Sequence, residues 1–210
     1  MTDWLEWHRG YDDPVSALSQ RLSIVQDYAD AALRAMGAGP TRVLSLCAGD
    51  GRDIVPVLAA SERREQTRSV LVEAEPFLVA RARERADRAG LEHMDVRHGD
   101  AGDPASFADF TPVDLLLVCG VFGNIDDNDL VRTITHLPRL LVAGGQVIWT
   151  RGASEPDRRP QVRDLFVEAG FQELRYDGAP ARHGVSLARL VHQESEQSQK
   201  LPARLFSFLR

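Results

Sequence analysis

Short apolar runs alternate with amphipathic stretches along most of this 210-residue chain. A short apolar run bounded by turn residues is typical of a buried strand, whereas apolar residues that recur every three or four positions indicate a helix. Strands are predicted near residues 42–47, 69–72, 93–97, 113–118, 146–150, 171–176 and 185–191. Helical patterns separate most of these strands, and this order predicts an α/β fold with a mostly parallel sheet.

The longest helical pattern precedes the first strand. Asp13 is predicted as its N-cap and Pro14 as its first helical residue, because Asp accepts bonds from free N–H groups and Pro lacks an N–H. Its apolar face runs from Val15 to Met36, and Gly37 ends it. A later helix, near residues 128–141, contains Pro138 and is expected to kink or end early.

The first strand ends in a glycine turn. Arg42 to Asp53 is an apolar run that breaks at Gly49 and Gly51 and is followed by the apolar face of a helix. Glycine allows a positive φ and lets a ligand approach the backbone. The helix then offers unpaired N–H groups and the positive end of its dipole. Such a turn is typical of a nucleotide-sized site, although many turns of this kind bind nothing.

Polar residues at the ends of the next two strands support this interpretation. Glu73 ends the second strand, about 20 residues after the glycine turn, where a carboxylate accepts hydrogen bonds from ribose hydroxyls. Asp100 and Ala101 follow the third strand. Because parallel strands place their carboxyl ends at one edge, the three tips together predict an adenosine site.

These residues carry a resemblance to a known family. Val43 to Gly51 resembles motif I of class I S-adenosylmethionine-dependent methyltransferases, and residues 72–76 resemble their second motif. Residues 99–101, 113–122 and 144–148 are similar to the adenine-binding site, the fourth strand with its loop, and the fifth strand. The resemblance implies a three-layer Rossmann-like sandwich with a seven-stranded, mostly parallel sheet of order 3-2-1-4-5-7-6 and an antiparallel edge strand.

The resemblance also implies a cofactor, S-adenosylmethionine, with S-adenosylhomocysteine as the product, and a set of residues that contact it. This set is Cys47, Ala48, Gly49, Gly51, Asp53, Glu73, Ala74, Asp100, Ala101, Cys119 and Gly120. Two positions depart from motif I. Ser45 stands where the family usually has Asp or Glu, and Cys47 stands where it usually has Gly. The first departure removes the usual carboxylate below the methionine part of the cofactor.

The catalytic residues are less evident than the cofactor site. A sulfonium methyl is already activated, so the protein mainly has to position the nucleophile and exclude water. A general base is needed only where the nucleophile must lose a proton. His8, Tyr11 and Asn124 are weak candidates, each also readable as a structural residue, and Gly123 stands where some O-methyltransferases of this class carry a catalytic His.

Composition is consistent with one globular domain, with 43% hydrophobic and 27% charged residues, and the resemblance implies that it is a methyltransferase domain. We expect an N-terminal arm and cap helix over residues 1–37, an α/β core over 38–192 and a tail over 193–210. The net charge of −6 and the lack of a clustered basic run give no reason to expect a nucleic-acid partner. No metal site is expected from two cysteines without ligand spacing, Cys47 and Cys119.

Two cysteines without a disulfide framework also favour a reducing, cytoplasmic setting. The chain shows no apolar run long enough for a transmembrane span and no basic segment followed by an apolar core, so neither a membrane anchor nor a signal peptide is expected. The arm, with Trp4 and Trp7, is interpreted as either a lid or a surface-packed segment. Residues 201–210 become apolar again and are expected to dock on their own domain or on a second subunit, giving a homodimer.

The favoured function is methyl transfer to an O, N or C nucleophile of a small molecule, and three alternatives stay open. In the first alternative, the same methyl transfer acts on a protein or RNA. The second is a nicotinamide-dependent oxidoreductase, although its third glycine would fall at Ile54 and no Tyr-x-x-x-Lys pair occurs. The third is a non-catalytic protein that binds S-adenosylmethionine.

Overall fold

Seven strands form one sheet in the computed structural model, which describes residues 10–178, 183–192 and 201–209. In chain order the strands are β1 Thr41–Leu46, β2 Thr67–Glu73, β3 Met94–His98, β4 Val113–Val118, β5 Leu141–Gly152, β6 Phe171–Asp177 and β7 His183–Leu190. The order across the sheet is β3-β2-β1-β4-β5-β7-β6. Strands β1 to β5 pair in parallel, and β7 runs antiparallel to both β5 and β6. The predicted fold class and strand order are confirmed.

Both faces of the central strands are buried, which explains their continuous apolar sequences. On one face Val43 packs with Leu115 and Leu117, and on the other Leu44 packs with Leu116. The first face is covered by α1 Ala17–Ala35, α2 Val55–Ala60 and α3 Pro76–Arg88. The second is covered by α4 Asp127–His136, α5 Arg159–Glu168 and short 3₁₀ turns.

Helix α1 begins later than the sequence predicted. Ser16 is its N-cap and accepts a hydrogen bond from the N–H of Ser19 at 3.0 Å. Asp13 instead accepts a bond from the N–H of Val15 at 3.1 Å, within a turn that precedes the helix. Val15 is consequently 77% exposed and does not belong to the buried face. The prediction of Asp13 as N-cap was wrong because an Asx turn and a capping serine follow each other closely here.

Helix α4 ends at His136, and a 3₁₀ turn containing Pro138 follows it, as expected for proline. Strand β5 is longer than predicted, because residues 141–145 already extend it before the apolar run begins. Strands β6 and β7 form the predicted antiparallel pair at one side of the sheet.

The C-terminal segment docks on its own chain. Leu205 and Phe206 are buried in the core on the α4–α5 face of the sheet. Two of the four apolar positions through which a homodimer was considered are therefore used within the chain, while Phe208 and Leu209 stay exposed. Trp4 and Trp7, which were interpreted as part of a lid, lie outside the described residues.

Across the described ranges, every helix is too short or too polar to traverse a lipid bilayer.

Candidate cofactor cleft

A cleft opens where β1, β2 and β4 end. Its cavity volume is about 210 Å³, somewhat below the ~300–1,000 Å³ typical of small-molecule sites, and the cleft is partly open to solvent. Strands β1 and β4 are neighbours, and the chain crosses from one side of the sheet to the other between them, so this is the switch point where α/β sheets bind ligands. The cleft is lined by Tyr11, Arg21, Leu22, Val25, Cys47, Ala48, Gly49, Asp50, Arg52, Asp53, Glu73, Ala74, Glu75, Leu78, Cys119, Gly120 and Phe208.

The turn after β1 is left-handed at three positions. Cys47, Gly49 and Gly51 have φ of 57°, 58° and 75°. Cys47 therefore occupies a conformation that favours glycine, which accounts for the glycine that the family usually has there. Gly51 serves packing, since a Cβ there would lie 2.9 Å from Val55 Cγ2 and 3.2 Å from Leu71 Cδ2. It does not line the cleft, although the sequence predicted a cofactor contact.

Glu73 is fixed by main-chain donors at the tip of β2. Its Oε2 accepts a hydrogen bond from the N–H of Gly49 at 2.8 Å. Its Oε1 accepts from the N–H groups of Ala74 and Glu75, both at 2.9 Å. These bonds hold the carboxylate at the cleft wall, directly against the glycine turn.

Asp50 anchors the turn to helix α3 beside it. Its side chain is fully buried, and its two oxygens accept bonds from Arg52 at 2.8 and 2.7 Å, while Arg85 of α3 donates to it at 2.9 Å. Burial alone would raise the pKa of Asp50, but the hydrogen bonds and charges of Arg52 and Arg85 outweigh it and lower the pKa to about 2.

A charged cluster, formed by Arg21, Arg52 and Asp53 together with Tyr11, lies on the α1–α2 side of the cleft. Arg21 donates to the hydroxyl of Tyr11, and the guanidinium of Arg52 lies 4.5 Å from the centre of the Tyr11 ring. Burial raises the pKa of Tyr11 to about 12, so its phenol stays protonated near neutral pH. Burial also raises the pKa of Asp53 to about 6, against the lowering effects of its own backbone hydrogen bond and of Arg21. Asp53 Oδ1 has no hydrogen-bond partner in the described part of the chain.

The tip of β4 closes the floor of the cleft. The N–H of Gly120 donates to Thr150 Oγ1 at 2.9 Å, which ties the loop to β5. Burial raises the pKa of both Cys47 and Cys119, so neither thiol is ionised near neutral pH. No cluster of three or more His, Cys, Asp or Glu side chains within residues 10–178, 183–192 and 201–209 has a metal-binding arrangement.

Three other predicted site residues lie away from the cleft wall. Asp100 is paired with Arg204 at 2.7 Å and accepts a bond from the N–H of Gly102 at 2.8 Å. Ala101 is buried in the core. Asn124 donates to the carbonyl of Gly120 at 2.7 Å, so its amide holds the loop. The catalytic candidate His8 lies outside the described residues.

Eight of the lining residues were not among the predicted site residues, and Arg21 and Phe208 are two of them. Arg21 is only 8% exposed, and a charged residue within the apolar face of α1, four positions before Val25, was the available signal. Phe208 reaches the cleft from the C-terminal segment. The one sequence feature that indicated Phe208 was the return of apolar residues after a polar stretch. This feature does not predict where those residues dock.

Comparisons with known proteins identify the family and the fold. A protein family described as "Putative methyltransferase" matches residues 17–166, which include the glycine turn and β1 to β5. The chain belongs to this family. No curated protein matches the sequence.

Solved methyltransferase structures share the fold of this family member. Magnesium protoporphyrin IX methyltransferase (ChlM) from Synechocystis PCC 6803, solved with bound SAM, matches with a TM-score of 0.68 at 14% identity, over 90% of this chain and 91% of that one. The CurJ carbon methyltransferase matches with a TM-score of 0.63 at 18% identity, over 85% of this chain and 56% of that one. An O-methyltransferase family protein from Burkholderia thailandensis matches with a TM-score of 0.62 at 15% identity, over 85% of this chain and 59% of that one. The chain thus spans little more than half the length of the last two.

Proposed function

We propose that this protein transfers a methyl group from S-adenosylmethionine to an O, N or C nucleophile of a small-molecule substrate. The observation that carries the proposal is the Glu73 carboxylate, which three main-chain N–H groups hold against the glycine turn. The three bonds occupy both acceptor positions of Oε1 and one of Oε2, so Oε2 keeps one acceptor position. A ribose hydroxyl is a donor that suits this remaining position on an acidic side chain at the strand tip.

The charged cluster suits the amino-acid end of the same cofactor. Its ammonium group would meet Asp53, whose Oδ1 is buried without a partner among the described residues. Its carboxylate would meet the guanidinium of Arg21. A buried carboxylate with an unsatisfied oxygen is costly unless a ligand completes it. Asp53 also offers the negative charge that is missing at Ser45, so the departure in motif I does not argue against this cofactor.

When bound, S-adenosylmethionine supplies a methyl group on a positively charged sulfur, which is already a good electrophile. The residues of the chain bind, orient and exclude water, which is the larger part of catalysis for such a transfer. Tyr11 keeps its proton near neutral pH and therefore acts as a hydrogen-bonding wall of the cleft, not as a general base.

The small-molecule substrate rests on indirect support. The net charge of −6 disfavours nucleic acid. Among the structural neighbours, one was solved as a complex with apigenin and another is a pyocyanin biosynthetic protein. At 19% and 17% identity these neighbours share the fold alone. We also propose a cytoplasmic setting, because both cysteines are free thiols.

Thermal unfolding in the presence of candidate ligands tests the cofactor. A ligand that binds only the folded chain at 100 times its Kd stabilises it by about 2.7 kcal/mol. We expect S-adenosylmethionine and S-adenosylhomocysteine to raise the Tm in a concentration-dependent manner and NAD to leave it unchanged. A Tm that responds to NAD and not to S-adenosylhomocysteine would replace this proposal with the oxidoreductase.

A further inference from the structure

The C-terminal segment of residues 201–209, here called the C-terminal strap, is bound by main-chain hydrogen bonds to the loops that follow β3 and β4. The N–H of Leu205 donates to the carbonyl of Gly102 at 2.8 Å, and the N–H of Leu209 donates to the carbonyl of Asn124 at 2.8 Å. Between them, the N–H of Ser207 donates to Asp129 Oδ2 at 2.6 Å. The strap therefore runs along the carboxyl edge of the sheet.

Side chains fix the strap more firmly than these bonds alone. Leu205 and Phe206 are buried in the core, and the Thr133 hydroxyl, which donates to the carbonyl of Asp129 at 2.6 Å, also lies 3.1 Å from the carbonyl oxygen of Leu205. Arg204 pairs with Asp100, next to the first anchor. The backbone approaches Gly102 so closely that a Cβ at this glycine would overlap the carbonyl oxygen of Phe206. The strap therefore packs directly against the loop that follows β3 and is part of the folded domain.

Phe208 is the residue that this strap presents to the cleft. Phe208 is 37% exposed and lines the cleft, and the ring of buried Phe206 packs against its ring at 5.6 Å between centres. The strap belongs to the α4–α5 face of the sheet, whereas the charged cluster belongs to the α1–α2 face. Glu73 lies at the strand tips between these two sides. A nucleoside with its ribose at Glu73 and its amino-acid end at the charged cluster has its base on the Phe208 side.

We propose that Phe208 forms an aromatic wall against the nucleobase of the bound cofactor, and that the C-terminal strap exists to hold it there. This inference rests on the proposed function. An aromatic ring suits an adenine, because the base presents a flat π-face that stacks on Phe and loses little by being desolvated. The strap thus supplies at the nucleobase the contact that Asp100, engaged by Arg204, was predicted to make.

Binding of two ligands to a small set of variants tests the inference. The ligands are S-adenosylhomocysteine and 5′-methylthioadenosine, which shares the nucleoside but lacks the amino-acid end. We expect Phe208→Ala to weaken both by about tenfold, which lies within the range that stacking on an aromatic side chain contributes per base. Phe208→Tyr keeps the ring and should restore the affinity. Gly102→Ala displaces the strap and should weaken both ligands as Phe208→Ala does.

Matched controls separate this contact from general damage. Leu209→Ala changes an exposed neighbour on the same strap and should bind as the wild type does. Arg21→Gln should weaken S-adenosylhomocysteine and leave 5′-methylthioadenosine unchanged, because that ligand has no carboxylate. Unchanged affinity of a folded Phe208→Ala variant, with saturable binding by the wild type, would overturn the role of Phe208 alone. No binding by the folded wild type would overturn the proposed function and this inference together.

Discussion

The carboxylate of Glu73 accepts a hydrogen bond of 2.8 Å from the N–H of Gly49, and this bond joins the tip of β2 to the glycine turn after β1. The other carboxylate oxygen accepts bonds from the N–H groups of Ala74 and Glu75. The acceptor that we assign to the ribose is therefore oriented by the fold itself. Such preorganisation lowers the entropic cost of binding, since no side chain has to be ordered by the ligand.

Replacing Glu73 by Gln tests this arrangement while keeping the size of the side chain. One amide nitrogen would then face a main-chain N–H group, so a donor would oppose a donor. We expect the free energy of unfolding to fall by about 1–2 kcal/mol, measured by urea denaturation. Glu84→Gln, on the exposed side of α3, is the control and should change it by less than about 0.5 kcal/mol. Equal effects of the two substitutions would contradict the role of these bonds.

Binding of S-adenosylhomocysteine should depend on pH through Asp53. Burial raises the pKa of this carboxyl to about 6, so it is ionised at pH 8 and largely protonated at pH 5. Only the ionised form attracts the ammonium of the ligand. We therefore expect the affinity to be constant at high pH and to fall as the pH drops through about 6.

Calorimetric titrations from pH 5 to pH 8 measure this dependence. Asp53→Asn removes the titrating group, so its affinity should be lower at pH 8 and nearly independent of pH over the same range. A variant that keeps the pH dependence of the wild type would assign the titration to a different residue.

The ion cluster at Asp50 is expected to stabilise the turn. Asp50→Asn leaves Arg52 and Arg85 without their buried counter-charge, and removing one partner of such a pair costs about 3 kcal/mol. The pKa of Asp50 is lowered to about 2, below its ordinary ~3.9, so the stabilisation is present above about pH 4 and is lost as the pH falls toward 2. Denaturant unfolding at pH 7 and pH 3 should show a smaller difference between variant and wild type at the lower pH.

Asp30→Asn provides the matched control for this cluster. Asp30 pairs with Arg34 on the exposed side of α1, and an exposed pair contributes about 0–1 kcal/mol. A cost at Asp50 no larger than the cost at Asp30 would show that the buried cluster does not stabilise the turn.

Cys47 is expected to carry backbone strain. It adopts φ of 57°, and the left-handed region costs a residue with a Cβ about 1–2 kcal/mol. Cys47→Gly and Cys47→Ala both remove the thiol, so they differ mainly in this cost. We expect the glycine variant to be about 1 kcal/mol more stable than the alanine variant by thermal or urea unfolding. The opposite order of stability would show that the turn relaxes around a Cβ at this position.

The parts of the fold that sequence predicted are those where local pattern and tertiary burial agree. Strand β4 was predicted at Val113–Val118 because burial on both faces requires a continuous apolar run. The tip of β2 was predicted for a different reason, since Glu73 ends a strand shortly before a Pro-initiated helix, where a carboxylate is placed to accept hydrogen bonds from ribose hydroxyls. The start of α1 was not predicted, because two polar residues that cap equally well lie close together there.

The rest of the site depends on contacts between residues that are distant in sequence. Arg204 engages Asp100 although 104 positions separate them, and nothing near Asp100 indicates this partner. Arg21 reaches the cleft because α1 packs beside the glycine turn, and Phe208 does so because the strap follows the sheet edge. Periodicity describes which face of an element is buried but not which elements meet.

The measurement that tests the central claim most directly is the calorimetric titration of S-adenosylhomocysteine into the wild type and into Glu73→Ala at pH 8. The account predicts saturable binding at one site for the wild type and an affinity at least tenfold lower for the variant, a loss of about 1.4 kcal/mol or more. Glu84→Ala should bind as the wild type does. If folded wild type does not bind S-adenosylhomocysteine, or if Glu73→Ala binds it equally well, the cleft is not an adenosine site of the kind described.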